Sequence, residues 1–129
     1  MNEVAPGVFI GGWHDARDHA HEFDAVINCA IDAPCYGGAH HFPLVDGPGN
    51  ARELMQSAIE QVITEMKAGR RILVHCVGGK SRSVVVTAMA LSRVTGVSFS
   101  DAIDSIVEAR GLAEPVGYKP HSALVELAS

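Results

Sequence analysis

An α/β sandwich is the fold class that the sequence predicts, and two observations predict it. Short apolar runs typical of strands alternate along the chain with longer segments in which apolar residues recur at helical spacing. The 129 residues suit one domain, residues 1–129, and 47% of them are hydrophobic, which is enough for one core.

The first part of the chain predicts three strands and one short helix. Residues 8–10 form a strand that two glycines close, and residues 14–21 form a short polar helix. Residues 24–29 form the next strand, whose apolar run indicates burial. A loop is predicted at residues 33–38, and a further strand is predicted at residues 41–45.

The middle of the chain predicts a loop and a long amphipathic helix. Residues 46–50, with the sequence Asp-Gly-Pro-Gly-Asn, are typical of a loop, and Asn50 is placed to cap the helix after it. The helix at residues 51–68 carries one apolar stripe and ends at Gly69.

The rest of the chain predicts a buried strand and three helices. Residues 71–75 form the strand, and the helix at residues 83–95 is apolar on almost every side, so we expect it at the centre. The helix at residues 98–110 begins with capping-box spacing, and we interpret Arg110 as a partner of its C-terminal dipole. The last predicted element is a short helix at residues 121–127.

Charge and composition exclude several classes of function. The net charge of −5 argues against a general nucleic-acid surface. No apolar stretch is long enough to span a bilayer, and the N-terminus lacks the apolar core of a secretory signal. The three cysteines have no disulfide-like spacing. We therefore expect a cytoplasmic monomer with no nucleic-acid partner and no membrane span.

The loop between the strand at residues 71–75 and the helix at residues 83–95 carries the chemistry. Backbone N–H groups at the start of a helix favour an anion, and Gly78 and Gly79 allow the backbone to curl around it. Arg82 can fork two hydrogen bonds onto phosphate oxygens. The same environment favours the thiolate of Cys76. The loop therefore predicts a phosphate site with a cysteine nucleophile.

The sequence His-Cys, five residues, Arg-Ser at residues 75–83 resembles the signature loop of the protein tyrosine phosphatase superfamily. Residues 4–11 and 24–29 resemble the opening strands of its small dual-specificity branch. The resemblance implies a three-layer sandwich with a twisted sheet of about five mostly parallel strands. It also implies an enzyme that hydrolyses phosphotyrosine and phosphoserine or phosphothreonine in proteins and needs no cofactor and no metal.

The resemblance assigns roles to the residues of the loop. Cys76 would form a phosphocysteine intermediate, and Arg82 would bind the phosphate and stabilise the transition state. Ser83 would donate a hydrogen bond to the sulfur, and His75 would organise the loop. The phosphate-binding backbone N–H groups would be those of Val77, Gly78, Gly79, Lys80, Ser81 and Arg82.

A general acid is also implied, on a loop upstream of the cysteine. Asp46 is the candidate because it comes after a predicted strand and precedes the long helix. Asp32, in the preceding loop, is the alternative. We interpret Asn50, close to the acid loop, as structural.

The remaining cysteines and histidines receive weaker interpretations. Cys29 ends a strand beneath the loop and is interpreted as a small buried hydrophobe. The family resemblance offers an alternative, a redox partner that traps oxidised Cys76 as a disulfide. Cys35 has no assigned role. The histidines lack a ligand pattern, so we predict no metal site.

Two alternative functions stay open. The first is a phosphatase of a non-protein substrate, such as a phosphoinositide, a phosphoglycan or an RNA 5′ phosphate. Lys80 adds positive charge at the pocket rim and supports it, whereas Val77, directly after the cysteine, is not a second base. The second is a module that binds phosphorylated partners without turnover, although the cysteine, the arginine and the acid are all present.

Overall fold

The computed structural model describes residues 1–129 and contains a five-stranded mixed sheet. The strands are β1 (Asn2–Ala5), β2 (Val8–Gly11), β3 (Ala25–Asn28), β4 (His40–His41) and β5 (Ile72–His75). Their order across the sheet is β1-β2-β5-β3-β4, in which β1 pairs antiparallel with β2 and the other neighbours are parallel. The predicted fold class is confirmed.

Helices cover both faces of the sheet unequally. They are α1 (Trp13–His19), α2 (Arg52–Lys67), α3 (Arg82–Thr95), α4 (Phe99–Ala109) and α5 (Ser122–Ala128), with a 3₁₀ turn at Ala20–Glu22. Alternate strand residues such as Val8, Ile27 and Val74 pack against α2, α3 and α5 in the main core. Helix α1 contacts β2 and β5 but contributes no residue to this core cluster. None of the helices has the length and apolar character needed to cross a bilayer.

Helix α3 lies at the centre of the larger helical layer, as its apolar sequence predicts. Every residue from Arg82 to Leu91 is buried. Its side chains divide between two clusters, because Val85 and Val86 pack towards α2 while Val84 and Ala88 pack towards α4. Full burial of a valine side chain contributes about 1.5–3 kcal/mol to the free energy of unfolding. The packing of α3 therefore fixes the position of its N-terminus, which adjoins the signature loop.

The parallel strands bring three loops to one edge of the sheet. His75, at the end of β5, pairs in register with Gly11 at the end of β2 and with Asn28 at the end of β3. The segments after these three residues therefore leave the sheet side by side. Crevices at the carboxyl ends of parallel strands are the usual place for ligands in α/β folds.

The strand predicted at residues 41–45 is mostly wrong. The strand contains only His40 and His41, and one further hydrogen bond joins the Phe42 N–H to the Asn28 carbonyl of β3 at 2.8 Å. Proline has no N–H to donate to a sheet, and Pro43 instead lies in a tight turn in which the Leu44 N–H donates to the Phe42 carbonyl at 2.8 Å.

The capping role predicted for Asn50 is also wrong. Ala51 precedes the first residue of α2, and no side chain caps that helix. The Asn50 side chain instead accepts from the Val45 N–H at 2.8 Å and donates to the carbonyls of Val45 at 2.9 Å and Gly47 at 3.1 Å. Asn50 therefore folds the loop that carries Asp46, which agrees with the structural interpretation of this residue.

Candidate active site

The signature loop turns its carbonyl groups outward, where protein donors hold them. The Trp13 N–H donates to the Val77 carbonyl at 3.1 Å. Arg110 donates from Nε to the Gly79 carbonyl at 3.0 Å and from Nη2 to the Gly78 carbonyl at 3.2 Å. Because these carbonyls point away from the centre of the loop, the intervening amide groups are turned towards it.

The backbone N–H groups of the loop have no acceptors within the protein. None of those from Val77 to Arg82 donates a hydrogen bond to another part of the chain. The last of them belongs to the first residue of α3, where the helix dipole adds positive potential. Free N–H groups around one concavity at a helix N-terminus bind anions, and phosphate is the anion whose several oxygens match them. We call this arrangement the phosphate cradle.

Two glycines are required for the cradle to pack against the strand β2. Gly79 has φ +67°, and a Cβ there would lie 2.5 Å from Arg110 Nη2 and 2.6 Å from the Gly11 carbonyl oxygen. A Cβ on Gly12 would lie 2.7 Å from the Val77 carbonyl oxygen. Any side chain at either position would displace the loop from the groups that orient it.

Cys76 lies at the base of the cradle beside Ser83. The residue is 3% exposed, and Cys76 Sγ is 3.2 Å from Ser83 Oγ. Ala30 and Ala33 pack against the cysteine, with Trp13 beside them. The thiol therefore has one polar partner, a hydroxyl that can donate to the sulfur when it is ionised.

Arg82 is held by two contacts that both use Nη1. This nitrogen donates to Asp32 Oδ1 at 2.6 Å and to the Leu44 carbonyl at 2.8 Å. The side chain is 6% exposed, and its Nε is buried without a partner. The edge formed by Nε and Nη2 is consequently the one available to fork onto two phosphate oxygens.

The two candidate acids occupy different environments. The hydrogen bond from Arg82 holds the pKa of Asp32 below its ordinary value, and this side chain is 61% exposed. A carboxyl group that is kept ionised is a poor proton donor at neutral pH. Asp46 makes no such pair and lies exposed in the loop folded by Asn50. This difference disfavours Asp32 as the acid, and the acid role of Asp46 stays a prediction.

Tyr118, to which the sequence assigned no role, lies at the mouth of the site. Burial raises the pKa of its phenol, and the charge of Asp46 raises it further. Lys80 Nζ lies 5.9 Å from the centre of its ring. Tyr118 thus lies close to Asp46 and Lys80, so that it forms part of the rim of the cradle.

His75 is buried beneath the cradle in a neutral form. Burial lowers its pKa, which the hydrogen bond between Nδ1 and the Cys76 carbonyl, 3.1 Å long, only partly offsets. Nε2 has no partner. A neutral imidazole that donates from Nδ1 fixes the carbonyl of Cys76. The organising role that the family resemblance implies for His75 stays a prediction.

Asn28 is a site residue that the sequence reasoning missed. It is fully buried, and its Oδ1 accepts from the Ala30 N–H at 2.9 Å. Its Nδ2 donates to the carbonyls of Ala33 at 2.9 Å and Pro34 at 3.3 Å. These bonds order the loop that carries Asp32. The signal was present in the sequence, because a polar residue inside an apolar strand must find hydrogen-bond partners.

Arg110 has a role other than the predicted one. Its guanidinium does not serve the end of α4, but bonds to the cradle carbonyls and, through Nη1, to Asn2 Oδ1 at 2.7 Å. Nothing local distinguishes this arginine from an ordinary basic residue at a helix end, so only the fold reveals the contact.

The other cysteines are free thiols. Cys29 is fully buried, and its N–H donates to the His75 carbonyl at 2.8 Å. Burial and the nearby Cys76 charge raise the pKa of the Cys29 thiol. Cys35 is exposed, and all three cysteines are unpaired. The redox role of Cys29 stays a prediction. No cluster of three side chains is arranged to hold a metal ion.

A cysteine and an arginine in a phosphate cradle at the edge of this sheet define a class, the protein tyrosine phosphatase-like proteins. The family model described as "Cyclin-dependent kinase inhibitor 3 (CDKN3)" matches residues 28–104, which is more than half of the chain. The chain therefore belongs to this family, within the dual-specificity branch of the protein tyrosine phosphatases. The family expected from the signature loop is confirmed.

Relatives of known name agree with this assignment. "Dual specificity protein phosphatase 22" of Homo sapiens is 29% identical over 128 residues, which cover 92% of this chain and 70% of the relative. The protein of the same name from Xenopus tropicalis is 30% identical over 123 residues, with 89% and 59% covered. The solved structure of human DUSP28 has a TM-score of 0.80 at 23% identity, covers 99% of this chain and is itself 92% covered, which shows the shared fold.

Proposed function

We propose that residues 1–129 act as one catalytic domain that hydrolyses phosphate monoesters in proteins, on phosphotyrosine and on phosphoserine or phosphothreonine. The observation that carries the proposal is the cradle of free backbone N–H groups with Cys76 at its base and the free edge of Arg82 at its side. The names of the dual-specificity relatives support the same substrates.

In the first step, the Cys76 thiolate attacks the phosphorus. The S–P bond forms as the bond between phosphorus and the leaving oxygen breaks, and Asp46 transfers its proton to that oxygen. The cradle N–H groups and Arg82 stabilise the charge on the equatorial oxygens, because they are oriented before the substrate arrives. The products of this step are the dephosphorylated side chain and a phosphocysteine.

In the second step, water attacks the phosphocysteine. Asp46, now ionised, takes a proton from the water as the new P–O bond forms and the S–P bond breaks. The Ser83 hydroxyl, 3.2 Å from the sulfur, donates to the departing thiolate and lowers the barrier to its release. Inorganic phosphate then leaves the cradle, and the enzyme returns to its initial state.

Hydrolysis of a small aryl phosphate tests the proposal. Wild-type protein should release the aryl alcohol and form a covalent phosphoenzyme that rapid quenching traps. The Cys76→Ser variant should lose both, whereas Cys35→Ser, which changes an exposed cysteine, should keep them. Activity that survives in Cys76→Ser would overturn the mechanism.

The Cys76→Ser protein also tests the substrate class. It should retain phosphotyrosine, phosphoserine and phosphothreonine peptides in a binding screen that also contains phosphoinositides, phosphorylated sugars and RNA 5′ phosphates. Preferential retention of a non-protein ligand, matched by preferential turnover of that ligand by the wild type, would replace the proposed substrate. Binding without any turnover by the wild type would favour a phospho-binding module instead.

A further inference from the structure

A large cavity of the protein lies outside the phosphate cradle. It has a volume of about 690 Å³ and is formed by α4, the segment at residues 113–120 and α5. This volume lies within the range of sites that bind ligands or peptide segments. We call this cavity the α4–α5 groove. Neither step of the proposed reaction uses it.

The groove has an apolar lining. Ile103 and Val107 of α4 face Val125 of α5, and Tyr118 and Pro120 line the connecting segment. All five are only partly buried, so part of each side chain stays open to solvent. Contact with an apolar side chain from outside would remove this lining from water, which is favourable.

Carboxylates surround the apolar lining. Asp104, Glu108, Glu114 and Glu126 lie among the lining residues, and Lys119 is the only base there. All four carboxylates are exposed, and none forms an ion pair within the chain. The groove therefore presents uncompensated negative charge, which favours a basic ligand and disfavours an acidic one.

The groove lies next to the mouth of the cradle. Tyr118 belongs to its lining and also lies 5.9 Å from Lys80 Nζ at the rim of the site. The His121 N–H, just before α5, donates to Ser81 Oγ in the signature loop at 2.9 Å. A chain that places its phosphorylated residue in the cradle can therefore continue past Tyr118 into the groove.

We propose that the α4–α5 groove binds a basic segment of the protein substrate, containing at least one large apolar residue, next to the phosphorylated residue. This proposal rests on the proposed function, because it names the substrates that the same site selects. Arginine and lysine side chains pair with the rim carboxylates, while the apolar side chain covers Val107 and Val125. The groove thus selects among phosphoproteins, and the cradle performs the reaction.

Matched phosphotyrosine peptides test the groove. One peptide carries two arginines and a leucine on the N-terminal side of phosphotyrosine, a second carries them on the C-terminal side, and a third has serine at these positions. The enzymes are wild type, the groove variant Glu108→Gln/Glu126→Gln, and the control Glu53→Gln/Glu60→Gln, which makes the same charge change on exposed positions of α2.

For one of the two basic peptides, the wild type should show a kcat/KM about tenfold higher than for the serine peptide, mainly because KM is lower. The advantage should fall to about threefold or less in the groove variant and persist in the control. Replacing the peptide's leucine by serine should also reduce it. Turnover of a small aryl phosphate, which cannot reach the groove, should be equal in all three proteins.

The outcomes separate this proposal from the proposed function. If the wild type hydrolyses no aryl phosphate, the proposed function fails, and anisotropy of the unphosphorylated basic peptide still measures the groove. Equal losses in the groove and control variants, or no advantage for a basic peptide, would overturn the groove proposal. So would self-association of the wild type that the groove variant lacks, seen by sedimentation, because a second copy would then be the occupant.

Discussion

Arg110 Nε donates a 3.0 Å hydrogen bond to the carbonyl oxygen of Gly79, in the middle of the signature loop. The same guanidinium reaches the Gly78 carbonyl and, at its other end, Asn2 on the first strand. The two hydrogen bonds to the loop fix the direction of two peptide units from the side opposite the ligand, so that their amide groups face the ligand. Arg110 is therefore a positioning residue that connects α4, β1 and the cradle.

The Arg110→Lys change should loosen the cradle without unfolding the protein. A lysine has one ammonium group and cannot reproduce the fork that reaches both carbonyls. We expect kcat/KM for an aryl phosphate to fall about tenfold to a hundredfold, since a misplaced oxyanion site costs this much. Inhibition by vanadate, which occupies the cradle, should weaken in parallel.

Arg93→Lys is the matched control for Arg110. Arg93 lies near the end of α3 and bonds to Gln56, away from the loop. It should leave both activity and vanadate inhibition unchanged. If Arg110→Lys lowers the free energy of unfolding but leaves vanadate affinity intact, the contact supports the fold and does not position the loop.

The chemistry of the loop was predictable from the sequence because its parts are local. Cys76, the glycines and Arg82 lie within one strand–loop–helix segment, so their spacing alone indicates a cradle. The contacts that hold these loop residues in place were not predictable, because they join segments far apart in the sequence. Asp32 meets Arg82 across 50 positions and Arg110 meets Gly79 across 31, and neither acid nor base carries a local signal of its partner.

The errors in the predicted elements have local physical causes. At residues 41–45, apolar composition favoured a strand, but Pro43 cannot donate to a sheet and turns the chain after His41. An asparagine such as Asn50 can either cap a helix or form hydrogen bonds within a loop. Here its side chain bonds to the carbonyls of Val45 and Gly47 and does not cap α2.

His75 should make the protein less stable in mild acid. Its pKa is lowered in the folded state by burial, so below the ordinary value of about 6.5 the unfolded chain binds the proton more readily. The free energy of unfolding should therefore fall as pH decreases from 7 to 5. Urea titrations should show a shallower fall in His75→Gln. The exposed His21→Gln control should keep the wild-type slope, and identical slopes in all three would exclude His75 as the cause.

Cys29 is expected to protect oxidised Cys76. Peroxide converts the Cys76 thiolate to a sulfenic acid, and attack by the Cys29 sulfur would form a disulfide and release water. Wild-type activity lost to one equivalent of peroxide should return with dithiothreitol. In Cys29→Ser a larger fraction should be lost irreversibly, whereas the exposed Cys35→Ser control should behave as wild type. Mass spectrometry that finds no Cys29–Cys76 linkage would contradict the prediction.

Asp46→Asn should slow the first chemical step and change its pH dependence. An amide cannot give a proton to the leaving oxygen, and losing a general acid costs about 10²–10⁴ in rate. The basic limb of the kcat profile should flatten, because that limb reports deprotonation of the acid. Substrates with a good leaving group, such as an activated aryl phosphate, should be affected least. An unchanged profile would remove Asp46 from the acid role.

The Asp32→Asn change distinguishes the role of Asp32 from that of Asp46. It alters the partner of Arg82 and leaves Asp46, the proposed proton donor, in place. In the free enzyme, Asp32 occupies the guanidinium at 2.6 Å and competes with phosphate for its charge. Arg82 is buried, but the Asp32 side chain is 61% exposed, so solvent screens the pair and it contributes about a fraction of a kcal/mol. Removing the charge should therefore strengthen competitive inhibition by vanadate about threefold, with kcat close to wild type.

Asp18→Asn, which breaks the exposed pair with Arg17, is the control. Weaker inhibition in Asp32→Asn would mean that Asp32 orients Arg82 for phosphate and does not compete with it, and a large loss of kcat would return Asp32 to candidacy as the acid.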